Sequence, residues 1–157
     1  NALWHDIDWN YFTNNSNSLY WHIDKDLQFT MGMKITGWNE EPYSEGDDGV
    51  KQSYAKVSQN YSGAIDGTST VHYLMSYQSA GSALFTGFET LTATIEGKTG
   101  TVVIQHNGTF EQGVASSSFV IVPGSGNEQL AGLTGSGSFR STENGQAKYQ
   151  FSIHTLD

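Results

Sequence analysis

The chain has no cysteine, which excludes disulfide bridges, zinc–thiolate sites and thiol nucleophiles. Cysteine-free chains occur in reducing and oxidising compartments alike, and a cytoplasmic location is the expectation. Cations are scarce: seven Lys and Arg stand against sixteen Asp and Glu, for a net charge of −9. Neutralising about 6 to 10 phosphates would consume essentially every one of them, so nucleic acids and anionic membrane surfaces are excluded as partners. No apolar run approaches the roughly 20 residues of a membrane-spanning helix, and no charged-then-apolar leader is evident. A soluble chain is expected. What the sequence does have is 157 residues, enough for one domain, together with 18 glycines and 13% aromatic side chains. The buried area must therefore come largely from Tyr, Phe and Trp.

Composition divides the chain near residue 27. Residues 1–27 hold Trp4, Trp9 and Trp21, and the pattern Trp4-His5-Asp6-Ile7-Asp8 is echoed by Trp21-His22-Ile23-Asp24-Lys25-Asp26. A single echo is not a repeat, so this segment reads as an aromatic N-terminal extension. Residues 28–157 read as one β-domain, rich in β-branched and aromatic residues, punctuated by Gly and lacking sustained helical spacing. Eight strands are expected, near 28–38, 51–65, 68–78, 82–96, 99–110, 114–122, 134–142 and 146–156. Short hairpin chemistry at Asp66-Gly67, Ser79-Ala80-Gly81, Gly97-Lys98, Glu111-Gln112-Gly113 and Asn144-Gly145 joins most of them. An acidic loop (39–49) and a glycine-rich loop (123–133) supply the remainder. Consecutive hairpins among eight strands predict a closed antiparallel up-and-down β-barrel.

Turn type sets register, and register sets which side chains face inward. Taking Gly97-Lys98 as the turn pairs Glu89 with His106 on an otherwise apolar or glycine face, while Thr86, Thr90, Thr92, Thr94 and Thr101 line the opposite, hydrated face. Three-residue turns at 79–81 and 111–113 add Tyr73 and Tyr77 on one side and Ser118, opposite His106, on the other. The Asp66-Gly67 turn brings Gln59 and Tyr61 inward. The predicted interior is apolar with a polar belt of Gln59, Tyr61, Tyr73, Glu89, His106 and Ser118, and Gly87 and Gly108 leave room beside it.

A carboxylate beside an imidazole in such an interior has two readings. As an acid/base pair, Glu89 and His106 are the candidate catalytic residues. As a structural pair, they satisfy two polar groups that would each cost about 1–3 kcal/mol if buried unpaired. Apolar walls with a few convergent polar groups are also the common form of a small-molecule site, with Tyr73, Tyr61, Gln59, Ser118 and Tyr77 as ligand-binding candidates. A barrel of this size can instead be filled by its own side chains. The acidic cluster Glu40, Glu41, Glu45, Asp47 and Asp48 fits no calcium loop and reads as a solvated loop. The Val122-Pro123-Gly124-Ser125-Gly126 segment lacks the Lys of a phosphate cradle. No metal or cofactor is expected.

Several segments together resemble a bacterial family, the domain-of-unknown-function family 3224. They are Trp38-Asn39-Glu40-Glu41-Pro42-Tyr43, Tyr73-Leu74-Met75 with Tyr77, Gly87-Phe88-Glu89, Gln105-His106-Asn107-Gly108-Thr109-Phe110, Val122-Pro123-Gly124-Ser125-Gly126 and Leu130-Ala131-Gly132-Leu133-Thr134-Gly135. The resemblance implies a barrel like that of allene oxide cyclase, includes Glu89 and His106 in its pattern, and implies no activity. Three functions follow as expectations: an interior that binds a small apolar or aromatic molecule, an isomerase or cyclase that uses Glu89 and His106 on a hydrophobic intermediate, or a filled structural barrel that works through its surface. A homo-oligomer is compatible with all three.

Overall fold

A computed structural model describes residues 18–22, 26–141 and 147–154. The strands, in order, are β1 (Ser18–His22), β2 (Asp26–Glu45), β3 (Lys51–Gly63), β4 (Ile65–Ser79), β5 (Ser82–Ile95), β6 (Lys98–Glu111), β7 (Val114–Ile121), β8 (Thr134–Ser141) and β9 (Ala147–His154). The only helical element among the described residues is one 3-10 turn, Glu128–Leu130. From β2 to β8, seven consecutive strands run antiparallel in one sheet, each beside its neighbours in sequence. β9 continues this order on β8, and β1 pairs antiparallel with β2. Over residues 20–22, β1 also pairs in parallel with β9 at 152–154. Among the described residues strand pairing includes Ser18–His22, inside the expected extension, a strand the expected eight did not count, and the acidic segment expected as a loop is mostly the far half of β2. The Trp4–Asp8 copy, residues 23–25 and the Asn144-Gly145 turn lie outside the described residues.

Alternation decides which side is buried. In β5, the odd positions from Ala83 to Ile95 are buried and the even positions from Leu84 to Thr92 are exposed, the period-2 pattern of a sheet with one wet face. The inner face of β3 to β7 carries Val57, Ile65, Val71, Met75, Phe85, Leu91, Val102, Ile104, Phe110, Phe119 and Ile121 in one cluster. Thr92–Thr101 and Thr94–Thr99 hydroxyl pairs bridge β5 and β6 on the outer face.

Three turns differ from expectation, each for a backbone reason. The β5–β6 turn is Glu96-Gly97, not Gly97-Lys98: both residues have positive φ, 50° and 78°, the requirement of a two-residue type I′ hairpin. Ile95 then faces Lys98, and His106 lies opposite Gly87 while Glu89 lies opposite Ile104. The shift totals two residues, so Glu89 and His106 keep the inner face and become diagonal neighbours. The β6–β7 turn is Gln112-Gly113, again positive at both residues (49° and 83°), so two residues turn the chain where three were expected. That shift totals one, and it turns β7 over: Phe119 faces His106, and Ser118 lies opposite Asn107 on the outside. The β3–β4 turn comes earlier than Asp66-Gly67, at Gly63 (φ 89°) and Ala64, which places Gly67 inside β4 opposite Ala93.

β7 covers only the second half of β6, from Ile104 onward. The exposed edge of Thr99–Val103 is closed by the loop that follows β7. Gln129 Oε1, Asn127 Oδ1 and Ser125 Oγ accept the Thr99, Thr101 and Val103 N–H groups, while the Asn127 and Val122 N–H groups donate to the Thr101 and Val103 carbonyls. Leu130 and Leu133 of the same loop are buried against the inner cluster. The glycine-rich loop is therefore an edge cover, one of the devices by which β proteins avoid pairing with other chains.

Candidate functional site

The inner-face odd positions of β4 and β5 and the even positions of β6 bring a small polar group into the apolar cluster. Glu89 and His106 are 1% and 2% exposed. His106 Nε2 lies 2.8 Å from Glu89 Oε1, and the Tyr61 hydroxyl donates to Glu89 Oε2 at 2.5 Å. Gln59 extends the network from β3: its Oε1 accepts the Ser69 hydroxyl at 3.1 Å and lies 3.4 Å from that of Tyr61. Burial pushes the Glu89 carboxyl pKa up, but the hydrogen bond from His106, the His106 charge and the hydrogen bond from Tyr61 outweigh it and hold the value below its ordinary one. Glu89 is a buried carboxylate with a donor on each oxygen.

The imidazole has one satisfied nitrogen. Nδ1 of His106 is buried and has no hydrogen-bond partner among the described residues. The ring is walled by Tyr73, Phe119 and Phe139, with centroids 5.9, 5.3 and 6.4 Å away. Tyr73 in turn meets Phe85 edge-on at 5.2 Å. The expected space beside the belt is occupied: a Cβ on Gly108 would stand 2.4 Å from the Phe85 ring, and one on Gly87 would stand 2.1 Å from the His72 carbonyl of β4. These glycines allow close packing, not an open chamber.

Glu89, His106, Tyr61, Gln59 and Tyr73 therefore gather, and Ser118 does not, because of the two-residue turn before β7. Ser69 and Phe119 were missed. Ser69 shares the odd-numbered face of β4 with Val71 and Tyr73, a signal open to reading, whereas Phe119 was hidden by the turn. Tyr77 lies on the inner face at a second polar cluster. A register irregularity between Ile35 and Gly37 shifts β2 by one residue, so Trp38 and Glu40 point toward the core where Met33 and Ile35 did before it. Glu40, expected in a solvated loop, accepts the Ser53 hydroxyl at 2.6 Å and the Trp38 indole N–H at 3.2 Å. Burial first, and then the charge and hydrogen bond of Glu40, raise the Tyr77 phenol well above its ordinary range.

Outside this interior, a groove of about 430 Å³ is lined by Tyr43, Leu74, Leu84, Phe85, Thr86 and Asn107, among others, and does not reach Glu89 or His106. His72, on the outer face as expected, pairs with the Tyr54 hydroxyl. Among the described residues no group of three or more His, Asp or Glu is placed to hold a metal ion. No helix among them is long and apolar enough to cross a membrane.

These observations define an all-β protein of antiparallel strands in one sheet, with a carboxylate–imidazole pair built into its inner face. The chain belongs to the family described as Protein of unknown function (DUF3224), whose sequence model matches residues 30–153. The crystal structure of a protein with unknown function from the same family, from Shewanella oneidensis MR-1, is similar to it, with a TM-score of 0.64 and 28% identity over 82% of this chain and 98% of that one. No curated protein matches.

Proposed function

We propose that this protein binds a small apolar or aromatic molecule inside the curved sheet, against the Glu89–His106 pair. The observation that carries the reading is the buried His106 Nδ1 without a hydrogen-bond partner among the described residues. An unmet polar atom in an apolar surrounding costs about 1–3 kcal/mol, a cost that a ligand hydrogen bond removes. Aromatic walls on three sides suit a flat, apolar partner. On this reading β1 and β9 complete a barrel of the allene oxide cyclase type around the site. The chain works as a soluble, cytoplasmic binder that needs no cofactor.

A thermal-shift screen of small aromatic and terpenoid compounds on the wild type and on His106→Gln tests this. Compounds that raise the melting temperature of the wild type and not of the variant support interior binding, and equal shifts in both count against it. A second reading, an isomerase or cyclase, draws on the same pair, because an imidazole held by a carboxylate is a competent proton acceptor. Chromatography and proton NMR of each stabilising compound after incubation separate the two. Recovery of the compound unchanged leaves a binder; an isomer formed by the wild type and not by Glu89→Gln makes an enzyme.

A further inference from the structure

The outer face of β4 to β7 carries a field without Asp, Glu, Lys or Arg. None occurs at the outward positions from Thr68 to Gln78, Leu84 to Thr94, Thr99 to Thr109 and Ser116 to Val120, in a chain of net charge −9. Its one imidazole, His72, is engaged with the Tyr54 hydroxyl. The margins are charged: Glu41 lies opposite Tyr54, Lys56 follows on β3, and Asp66, Glu111 and Arg140 stand at strand ends. An apolar patch lies at one end of this field. Leu74 pairs with Tyr54 and has Leu84 and Phe88 as diagonal neighbours on β5, while Tyr43 joins Leu74 and Leu84 around the groove of about 430 Å³. These five side chains are 38% to 59% exposed. At roughly 200 Å² for each one fully exposed, they present about 500 Å² of apolar surface.

A standard interface buries about 800 Å² per partner, a little over half of it apolar, so the patch supplies the apolar share of one such contact. Two observations identify the occupant. A chain of charge −9 repels a second copy wherever acidic surfaces meet, and on this face two copies approach without bringing their acids together. The patch is also self-complementary. Phe88 stands exposed on the same face but outside the groove, and the groove, ample for one aromatic side chain, offers Tyr43, Leu74 and Leu84 as walls. We propose that the outer face of β4 and β5 is the contact of a two-fold homodimer, in which Phe88 of each copy fills the groove beside Leu74 and Leu84 of the other. The axis lies in the plane of the contact and passes between groove and Phe88, so both insertions form at once. Glu89 and His106 lie on the opposite side of the sheet and take no part in it.

Sedimentation of the full chain between about 1 and about 200 μM tests this, a range that covers the weaker interfaces of this size. The expected result is a mass that rises to twice that of one chain. Phe88→Glu and Leu84→Lys are each expected to raise the dissociation constant at least about thirtyfold and leave a monomer, because each buries a charge without a partner. Mixed in equal amounts, the two variants are expected to regain the dimer: one insertion then joins the two opposite charges, and the other keeps the native Phe88 and Leu84. Both positions are exposed, so each variant should retain the far-UV circular dichroism of the sheet; where a charged variant loses it, Phe88→Ser repeats the dilution series with a neutral truncation. A wild type that stays monomeric throughout overturns the inference, whether the face is bare or is covered by a foreign protein or by this chain's own N-terminal residues. A dimer that survives both variants overturns it as well, since the contact then lies elsewhere. Monomers that do not recombine on mixing overturn the insertion of Phe88 beside Leu84.

Discussion

Replacing Glu89 by glutamine preserves the shape of the side chain and removes its charge. In the wild type the carboxylate accepts from His106 Nε2 and from Tyr61 while fully buried, and hydrogen bonds to a charged acceptor contribute about 1.5–3 kcal/mol each, against about 0.5–1.5 for neutral ones. Glutamine has one acceptor oxygen and one NH2 donor, so it restores neutral versions of both by accepting from one partner and donating to the other, and its amide is cheaper to bury. The net loss expected at pH 7 is about 2 kcal/mol, or about 4–8 °C in Tm for a chain of this size. Because folding lowers the Glu89 pKa below the ordinary 4.5, the native state binds this proton less readily than the unfolded chain. Its contribution is present above that ordinary value and is lost as pH falls through the lower, folded-state value. The other carboxylates are common to both proteins and cancel in the difference. Urea unfolding followed by tryptophan fluorescence, at a series of pH values from neutral to strongly acidic, should therefore give a stability gap that is full at pH 7 and closes in acid. A gap that does not change with pH, or a glutamine variant more stable than wild type at pH 7, refutes the account of Glu89 as a stabilised buried carboxylate.

Other expectations are as direct. Phe119→Ala removes a wall of the His106 pocket and should cost about 3–5 kcal/mol, while Ser118→Ala, on the outer face beside it, should stay within about 0.5 kcal/mol of wild type by the same unfolding assay; reversed effects would put β7 in the other register. Gly108→Ala forces a methyl against the Phe85 ring and should destabilise by about 1–3 kcal/mol, seen as a lower urea midpoint. Glu40→Gln should let Tyr77 ionise at lower pH in an alkaline absorbance titration, because the charge and the hydrogen bond that raise its pKa are weakened. Asn127→Ala removes the acceptor for the Thr101 N–H and should cost about 1 kcal/mol and speed amide exchange at Thr101.

The inner and outer faces were legible because alternation survives any even slip. Val71, Tyr73, Met75 and Tyr77 lie inward as the odd positions of β4 require, and Glu89 and His106 stayed inward through a shift totalling two. What the sequence hid were positions where one backbone angle decides. Glu96 and Gln112 adopt positive φ, which favours Asn, Asp or Gly, so nothing in their identity announced two-residue turns. At Glu111-Gln112-Gly113 this turned β7 over and exchanged Ser118 for Phe119 at the site. The irregularity near Thr36 was equally silent, and it converts Glu40 from an expected loop residue into a partner of Ser53 and Trp38. Gly87 and Gly108 were read as space because glycine in a strand marks either a void or a close approach, and only the neighbouring atoms tell which.

The central claim is that a small molecule is held inside the sheet at His106. A crystal soaked in 4-bromophenol, with the bromine located by its anomalous scattering, tests it most directly. The account predicts a bromine among Tyr73, Phe119 and Phe139 with the phenol oxygen within hydrogen-bond distance of His106 Nδ1. Bromine found only in the outer groove beside Leu74 and Leu84, with the interior unchanged, would contradict it.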